Sequence, residues 1–397
     1  MLDQKTIAII KSTVPVLEEH GEKITSVFYK RMFSDHPELL NIFNHANQKK
    51  GQQQRALASA VYAAASYIDK LEAILPEVRL IAHKHRSIGI QPEQYPIVGK
   101  YLLLAIKEVL GEAADEEILH AWKEAYKVIA DVFISVEAEM YHQAGWEGFR
   151  DFKVVRKVAE GDHVASFYLQ PVDGDFLPEF LPGQYVSVLV ESTNDSFKHI
   201  RQYSLSAAPG RDYYRITVKR EGEQNGKAGV VSHFLHDHAE EGTVVKVSAP
   251  AGDFTVHPYE EGPLVLISGG VGITPLFSML QATVDAQPQR EVTFIHATSN
   301  GRNHTFSQEV KECVKKGNVK SFVFYDSPTK EDKGAPSYYE EGFVTKESLA
   351  EMIPAVNADY YFCGPKLFMK SIYISLRELG IPQERIHYEV FGPMEQL

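Results

Sequence analysis

The sequence predicts a multidomain fold in which an all-α domain comes first, an antiparallel β-barrel domain second, and an α/β domain with a parallel sheet last. Residues 1–145 place apolar positions at helical spacing, residues 149–260 contain short β-type runs, and residues 261–397 alternate buried-type strands with helical stretches. A chain of 397 residues also exceeds what one hydrophobic core usually organises. We therefore expect three domains with these bounds.

The helical pattern of the first domain runs through segments such as LASAVYAAASYI, YLLLAIKEVL and AWKEAYKVIADVFISVEAEMY, where apolar residues recur every three or four positions. Strand-like alternation does not interrupt it. At AGWEGFRDF, residues 144–152, the pattern changes. A domain boundary is expected there.

The two later domains are predicted from their strands. Six β-type runs follow the boundary: FKVVRKV, HVASFYL, QYVSVLV, IRQYSLS, YYRITVKR and VVKVSA. After Pro263 the strands become continuous apolar runs, LVLISG, VTFIHA, KSFVFY and YYFCG, with helical stretches between them. Such runs are typical of a parallel, doubly wound sheet that is covered on both faces.

Composition excludes several classes of protein. The formal net charge of −12 argues against a nucleic-acid or anionic-membrane surface, which needs clustered Lys and Arg. The two cysteines, Cys313 and Cys363, are too few for a disulfide framework, an iron–sulfur cluster or a Cys-based zinc site. No signal peptide or long apolar run is visible. We expect a cytoplasmic monomer without a nucleic-acid partner or stable membrane association.

One histidine of the helical domain stands out as a candidate metal ligand. His85 lies four residues after Ile81 and three before Ile88, so it shares the apolar face of a predicted helix and points inward. A histidine on such a face is more often a hydrogen-bonded core residue than a ligand. Periodicity alone leaves both interpretations open.

Several segments of the helical domain carry a family resemblance. These segments resemble a globin, and more closely the haem domain of bacterial and yeast flavohaemoglobins. They are FYKRMF, HPELLNIFN, QRALASA, AHKHRSIGI, QYPIVG and AWKEAYKVIADVFI. The resemblance implies haem b with His85 as the proximal iron ligand. It implies a haem pocket formed by Phe43, Lys84 and, on the distal side, Tyr29, Gln53 and Leu57.

Two distal assignments keep alternatives. Tyr29 could donate a hydrogen bond to a distal ligand or could be an aromatic core residue. Gln53 lies one turn from Leu57 on the same face, but Gln52 competes with it within the QQQ run.

On the proximal side the resemblance places Tyr95 and Glu137 near His85, with the carboxylate accepting the imidazole N–H; Glu139 is the alternative. A carboxylate partner gives the imidazole anionic character, which favours oxygen activation over reversible carriage. The proximal pattern therefore indicates an enzyme.

The middle domain contains three motifs in order: GQY at 183–185, RQYS at 201–204 and GVVSHFLHD at 229–237. Together they resemble the flavin domain of the ferredoxin–NADP reductase superfamily. The resemblance implies FAD, with Arg201 on a phosphate, Tyr203 stacked on the isoalloxazine, and Ser204 bonded to its reactive edge. Further contacts are Tyr185, Gln202 and, at a helix N-terminus that could receive the pyrophosphate, Ser232. The alternative is a plain six-stranded barrel.

The last domain carries a glycine turn between a strand and a helix, SGGVGITP at 268–275. Its G-x-G-x-x-P form departs from the usual dinucleotide motif but matches the same reductase superfamily, as does YYFCGP at 360–365. The implied NAD(P)H contacts are Gly270, Val271, Gly272, Ile273, Thr274, Pro275, Cys363, Gly364 and Pro365. Cys363 could instead pack between strands.

Two further segments bear on the cofactors. The strand VTFIHA is followed by the segment that would bind a nucleotide 2′-phosphate, with Ser299, Asn300, Arg302 and Asn303. Arg302 permits NADPH but does not decide between NADH and NADPH. The ending HYEVFGP resembles the family's C-terminus, which implies flavin contacts from Glu389, Val390, Phe391, Gly392 and Pro393. Val390 stands where flavohaemoglobins often have Cys.

The resemblance covers essentially the whole chain and implies an enzyme, a nitric oxide dioxygenase. NAD(P)H would reduce FAD, FAD would reduce haem, and NO would react with O₂ to give nitrate, which detoxifies NO under nitrosative stress. Two alternatives remain. One is an NAD(P)H-dependent reductase of ferric complexes, quinones or lipid hydroperoxides, and the other is an oxygen or NO sensor or store.

Overall fold

The computed structural model describes residues 2–43, 48, 51–191, 196–222, 229–257, 259–334, 339–354 and 357–392. The chain divides into two compact units. The first is mainly Met1–Phe149, and the second contains most of the remaining chain. In the part of the chain listed above, no helix is long and apolar enough to cross a membrane.

The first unit is helical, as predicted. Its α-helices are α1 (Gln4–Ser12), α2 (Val14–Asp35), α3 (Gln52–Ser66), α4 (Leu75–Ile88), α5 (Tyr95–Leu110) and α6 (Glu116–Gln143). Short 3₁₀ turns lie at Pro37–Asn41, Leu71–Ile74, Pro92–Gln94 and Gly111–Ala113.

Side chains with clear physical roles begin and end these helices. The Asp3 carboxylate accepts from the Thr6 amide (2.7 Å) at α1, and the Asp115 carboxylate accepts from the Ile118 amide (2.8 Å) at α6. Gly89 ends α4 in the left-handed region, at φ +82°. The core between the helices consists of apolar residues including Ile10, Ile24, Phe28, Met32, Tyr101 and Trp122.

The first sheet has six strands, as many as predicted. They are β1 (Phe149–Gly161), β2 (Val164–Pro171), β3 (Tyr185–Glu191), β4 (Lys198–Ser204), β5 (Tyr214–Lys219) and β6 (Val244–Ser248), with α7 (Val230–His238) before β6. Their order is β4-β3-β6-β1-β2-β5, and the pairs β1–β2, β2–β5 and β3–β6 are antiparallel. A bridge between Leu205 and Ile216 joins the two ends of the sheet. The antiparallel prediction is confirmed.

The second sheet is parallel, as predicted. Its strands are β7 (Leu264–Gly269), β8 (Val292–Thr298), β9 (Val319–Tyr325), β10 (Glu340–Glu341), β11 (Asp359–Cys363) and β12 (Ile386–Glu389). The helices between them are α8 (Ile273–Ala286), α9 (Ser307–Lys316), α10 (Lys346–Met352) and α11 (Lys366–Glu378). The expected division between two later domains falls between β6 and β7, and it stays a prediction.

The strand order of the second sheet, β10-β9-β8-β7-β11-β12, reverses direction between β7 and β11. The chain moves outward from β7 to β10 and then returns to the other side of β7. In doubly wound sheets, ligands bind outside the carboxyl ends of the strands at such a reversal. The fold therefore places a crevice where Gly270 and Gly364 follow their strands.

Glycine is required at this reversal because the two strand ends approach closely. A Cβ atom on Gly272 would lie 2.2 Å from the Cys363 carbonyl oxygen and 2.6 Å from the Gly364 nitrogen. A Cβ atom on Gly364 would lie 2.7 Å from the Phe368 ring. The atoms that Gly272 approaches are backbone atoms, which cannot rotate away as a side chain can, so position 272 needs a residue without a side chain. At Gly364 the Phe368 ring would have to move, and the Gly269 backbone lies 3.1 Å from the same point.

Two histidines are buried together at the carboxyl end of β8. His296 and His304 are 1% and 6% exposed, and their ring centroids are 5.1 Å apart. The Nδ1 atom of His296 is 2.8 Å from the Ser268 hydroxyl, and that of His304 is 2.8 Å from the Tyr325 hydroxyl. Burial lowers the pKa of His304 to about 4, and it lowers the pKa of His296 well below its ordinary value.

Replacing Gly272 by alanine should destabilise the second unit. The new methyl group would overlap the Cys363 carbonyl, and overpacking of this kind costs about 2 kcal/mol, or roughly 5 °C in melting temperature for a unit of this size. Differential scanning calorimetry measures the shift. Gly222→Ala is the control, because a Cβ atom there meets nothing within 4 Å. Equal melting temperatures for the two variants would contradict the close approach.

Acid should destabilise the second unit through His304. Its folded pKa is about 4, against about 6.5 when unfolded, so between these values the unfolded chain binds more protons. Stability is therefore unaffected above pH ~7 and is lost as pH falls from ~6.5 towards ~4. Melting temperatures measured across this range should fall less steeply for His304→Gln. The surface variant His163→Gln should keep the wild-type slope, and a slope unchanged in His304→Gln would refute the assignment.

Candidate functional sites

The proximal site is built around His85, near the C-terminus of α4. Its Nδ1 atom lies 2.7 Å from Glu137 Oε1 and 3.3 Å from the Tyr95 hydroxyl. A carboxylate can only accept, so Nδ1 carries a proton and donates it. The other ring nitrogen, Nε2, is then the one able to bind a metal.

Glu137 is a buried carboxylate with two donors. It is 2% exposed, and its Oε1 atom also accepts a hydrogen bond of 2.6 Å from the Tyr95 hydroxyl. Burial and the Glu137 charge raise the pKa of Tyr95, so this phenol keeps its proton. Glu139, the alternative carboxylate, is exposed and lies 3.9 Å from Arg79. The structure thus places Glu137, and not Glu139, beside His85.

Two tyrosines of α6 hold the chain that carries Tyr95. Tyr126 donates to the Tyr95 carbonyl, and Tyr141 donates to the Ile90 carbonyl, both at 2.7 Å. Burial raises the pKa of Tyr141 to about 12, with a further contribution from the Glu137 charge. The sequence analysis did not identify either residue. Only their position on the helix of Glu137 could have indicated them, since Tyr141 lies one turn and Tyr126 three turns from Glu137.

On the distal side, Tyr29 lies on α2 within an aromatic cluster. Its ring centroid is 4.8 Å from that of Phe28, 5.6 Å from Phe33 and 5.7 Å from Phe43. Burial raises the pKa of Tyr29, so its hydroxyl stays a donor. This hydroxyl has no hydrogen bond to any residue that the structure describes. Leu57 and Phe43 pack against the same core.

The three glutamines at the start of α3 differ in their surroundings. The Gln54 amide nitrogen donates to Gln48, at 3.2 Å to the backbone carbonyl and 3.0 Å to the side-chain oxygen. The side-chain oxygens of Gln53 and Gln54 are buried and have no partner among the described residues, whereas no such atom is found on Gln52. A buried acceptor without a donor leaves a place for a ligand or water. This separates Gln53 from Gln52, and the assignment of Gln53 to the distal side stays a prediction.

These residues fit a haem. Within the described ranges, Nε2 of His85 has no hydrogen bond, and no cluster of three His, Cys, Asp or Glu side chains could chelate a metal. A macrocycle that brings its own four nitrogens needs only one such ligand. An apolar cleft between α3 and α4 is lined by Ala60, Ala63, Ala64, Ile74, Glu77, Val78, Ile81 and Phe133. The Phe133 ring lies 6.1 Å from that of His85.

Lys84 contacts the C-terminal part of the chain, and its place in the haem pocket stays a prediction. Its ammonium group donates to the Gly392 carbonyl at 2.7 Å. This brings together two of the predicted site residues. Pro393, the next residue in the predicted set, lies outside the residues that the structure describes.

The flavin motifs meet at the ends of β3 and β4. The Leu205 amide, directly after RQYS, donates to the Gln184 carbonyl of GQY at 2.8 Å. Tyr185 and Ser204 are buried, and Gln202 is exposed.

Arg201 and Tyr203 share one face of β4 and are half-buried. Arg201 also donates to the Ile200 carbonyl at 2.7 Å. An arginine and a tyrosine on one half-open face suit a phosphate and an aromatic ring system.

Gly229 is the N-cap of α7, in agreement with the predicted helix that follows this glycine. The Ser232 hydroxyl donates to the Gly229 carbonyl (3.2 Å) and accepts from the Glu221 amide (3.3 Å), so it shapes the turn before the helix. The first amides of α7 remain suited to an anion.

The nucleotide motifs meet at the crevice of the second sheet. The turn Gly270–Gly272 leads directly into α8, whose Ile273, Thr274 and Pro275 are buried, and the Thr274 hydroxyl donates to the Val271 carbonyl at 3.0 Å. Pro365 caps α11 on the other side. Both turns carry the residues that the sequence assigned to NAD(P)H.

Cys363 lies in register with Ser268 on one side and Glu389 on the other. Burial raises the pKa of the Cys363 thiol well above its ordinary value, and Glu389 adds to the shift, so the thiol is neutral. Cys363 is thus packed between two strands, as the alternative interpretation predicted. The same position lies at the carboxyl end of β11, beside the crevice.

The last predicted contacts surround this strand end. Val390 packs against the core of the second sheet, and Phe391 is 48% exposed. In the loop after β8, the Asn303 amide donates to the Ser299 hydroxyl at 2.9 Å and Asn300 caps the turn, while Arg302 is exposed. The roles of all these residues stay predictions.

Comparison with known proteins agrees with this arrangement. The globin family model matches residues 26–133, and the oxidoreductase NAD-binding domain model matches residues 266–373. A flavohemoprotein of Bacillus thuringiensis subsp. konkukian is 54% identical over 403 residues, covering 100% of both chains.

Two solved structures are similar to the chain. The flavohemoglobin of Malassezia yamatoensis, with bound FAD and heme, has a TM-score of 0.86 at 30% identity and covers 98% of this chain and 100% of its own. The FAD/NAD-binding domain of nitric oxide dioxygenase from Vibrio cholerae has a TM-score of 0.56 at 39% identity, covering 62% of this chain and 99% of its own. With a relative above half identity along its full length, the chain belongs to the flavohaemoprotein family.

Proposed function

We propose that this chain is an NAD(P)H-dependent nitric oxide dioxygenase that converts two NO, two O₂ and one NAD(P)H into two nitrate, NAD(P)⁺ and one proton. The hydrogen-bonded group of His85, Glu137 and Tyr95 carries the proposal, because a storage globin does not need a buried carboxylate behind its iron ligand. The nitric oxide dioxygenase of Vibrio cholerae and the flavohemoglobin with FAD and heme support it through their similarity.

When bound, FAD would accept a hydride and pass on single electrons, and haem would supply the iron at which O₂ and NO react. His85 would hold that iron through Nε2. Glu137 draws on the Nδ1 proton and increases the electron donation of the imidazole. Tyr95, which keeps its own proton, fixes the carboxylate in place.

The distal residues act as donors. Tyr29 presents a neutral hydroxyl within an apolar surround, where a hydrogen bond is stronger than in water. Gln53 adds a side-chain amide whose oxygen has no partner among the described residues. The Tyr29 hydroxyl and the Gln53 amide nitrogen would donate hydrogen bonds to a distal ligand and would stabilise negative charge on it.

On the reductase side, residues of the two sheets would orient the cofactors. Arg201 and the first amides of α7 offer donors to phosphate, and Tyr203 offers an aromatic face. The glycine turn at 270–272 lets the backbone approach a second pyrophosphate. Cys363 is a buried, neutral thiol, so it would add no charge beside a nicotinamide bound at this strand end.

The proposal predicts nitrate formation that depends on His85. Purified protein of known haem and FAD content should consume NO under air with NAD(P)H and release one nitrate per NO. His85→Ala should lose this activity by about 100-fold or more while still reducing ferricyanide. Equal NO consumption in the variant, or reduction of other acceptors without nitrate, would instead identify a flavin reductase with an accessory globin.

Tyr29→Phe should lower NO turnover by about 10-fold, because one hydrogen bond worth about 1.4 kcal/mol is lost. The matched control is Tyr101→Phe, which removes another buried tyrosine hydroxyl of the globin unit, bonded to Asp35 at 2.7 Å. Steady-state NO consumption at saturating NAD(P)H compares them. If both variants fall equally, the distal role of Tyr29 is wrong.

Glu137→Gln should weaken electron donation through His85. Turnover should fall about 10- to 100-fold, the usual cost of losing the partner of a metal-bound histidine. The iron–histidine stretching frequency in resonance Raman spectra should also decrease. Glu139→Gln, two positions along the same helix and exposed, should change neither quantity. An unchanged frequency in Glu137→Gln would exclude the proposed effect.

A further inference from the structure

A second buried charge, unrelated to the haem site, lies in the second unit. Arg215 on β5 is 2% exposed. Its guanidinium carbon lies 4.5 Å from the centroid of the Phe306 ring, 5.5 Å from that of Phe277 and 5.8 Å from that of Tyr168. A cation enclosed in this way must bind strongly to its neighbours to be tolerated.

The donors of Arg215 are used on two different segments. Nη1 donates to Glu309 Oε1 of α9 at 2.8 Å. Nε donates to the Ser206 hydroxyl at 3.2 Å, and Nη2 donates to the Ser206 carbonyl. Burial alone would lower the pKa of Arg215, but the Glu309 charge and the Tyr168 hydroxyl raise it, so the group stays charged.

The two segments lie beside the flavin motif and within the nucleotide-binding fold, respectively. Ser206 follows Ser204, the last residue of RQYS, by two positions. Glu309 lies on the helix that follows β8 in the parallel sheet. One planar guanidinium therefore joins the end of the flavin motif to the nucleotide-binding sheet.

The backbone beside this contact is strained. Phe306 has φ +60°, a conformation that a non-glycine residue rarely adopts. Its ring stacks on Phe277 at 4.5 Å and on the guanidinium. Strain of this kind persists only where the surroundings fix it, and it collects at functional sites.

A second set of hydrogen bonds runs between the same two parts. The Ser278 hydroxyl donates to the Ala207 carbonyl at 2.7 Å, and the Ala208 amide donates to the Gln281 side chain at 3.2 Å. Ser278 and Gln281 lie on α8, which begins at the glycine turn. The residues after RQYS are thus bonded on both sides to elements that carry the nucleotide motif.

We propose that Arg215 is a positioning residue for hydride transfer, which sets the distance and angle between the nicotinamide and the flavin by fixing the segment after Ser204 to the nucleotide-binding sheet. This rests on the proposed function, since it requires that NAD(P)H reduces FAD. Hydride transfer needs reacting atoms held within about 3.5 Å, and a displacement of about 1 Å can cost 100-fold in rate. Because Arg215 is 2% exposed, it would act through Ser206 and Glu309 and not on either reactant directly.

Rapid-mixing reduction of the flavin by NADH under anaerobic conditions tests the proposal, because it does not depend on NO chemistry. In Arg215→Met the limiting reduction rate should fall about 10- to 100-fold while the dissociation constant for NADH changes less than about threefold. Arg215→Lys keeps the positive charge but loses the planar set of donors of the guanidinium. Its reduction rate should lie between those of Arg215→Met and the wild-type protein. Glu309→Gln, a milder change, should show the same pattern more weakly.

Arg211→Met is the matched control. Arg211 donates to Asp285 of α8 at 2.7 Å, between the same two parts. This ion pair is exposed, so its loss should leave the flavin reduction rate unchanged. A reduction rate that is unchanged in Arg215→Met and Glu309→Gln, or that falls only in proportion to FAD lost, would overturn the positioning role. Absence of flavin reduction in the wild-type protein, with NADH and again with NADPH, would instead overturn the proposed function.

Discussion

The burial of the Glu137 carboxylate is the constraint on which the globin unit depends. A charge that is 2% exposed is tolerated only when its hydrogen bonds are made, and both donors to it, His85 and Tyr95, come from other segments. The C-terminal end of α4, the start of α5 and the last part of α6 must therefore meet at one point. The Tyr126 and Tyr141 hydroxyls hold that meeting point from α6. The hydrogen bonds that orient His85 therefore form only when these three helices are packed correctly.

The second unit uses a buried charge in the same way but for a different purpose. Glu137 accepts hydrogen bonds from His85 and Tyr95, whereas Arg215 donates to Ser206 and Glu309 and so joins two parts of the second unit. The glycines at the strand reversal complete this arrangement, because Gly272 lets the ends of β7 and β11 approach without a side chain between them. In both units, backbone contacts and buried charges fix the residues of the candidate sites. Such contacts move less than exposed side chains do.

The fold could be read from the sequence because periodicity reports burial directly. The helices of the first unit and ten of the described strands follow the predicted patterns, and the glycine turns mark the crevice. The two strands that the pattern missed are β10, which consists of two exposed glutamates, and β12, which has only four residues. Pairings distant in the chain could not be read in this way. Spacing offered no choice between Glu137 and Glu139 or between Gln52 and Gln53, since each depends on which helix face meets another helix. Arg215 was missed because one cation in an apolar strand looks like any outward-facing residue until its partners are known.

The placement of the two cysteines has a consequence for a protein proposed to consume nitric oxide. Oxidised nitrogen species modify thiolates that solvent can reach. Cys313 and Cys363 are both buried, and burial raises the pKa of Cys313 to about 12 and that of Cys363 well above its usual range. Both cysteine thiols are therefore buried and neutral, which is the state least open to attack by the gas that the chain is proposed to consume.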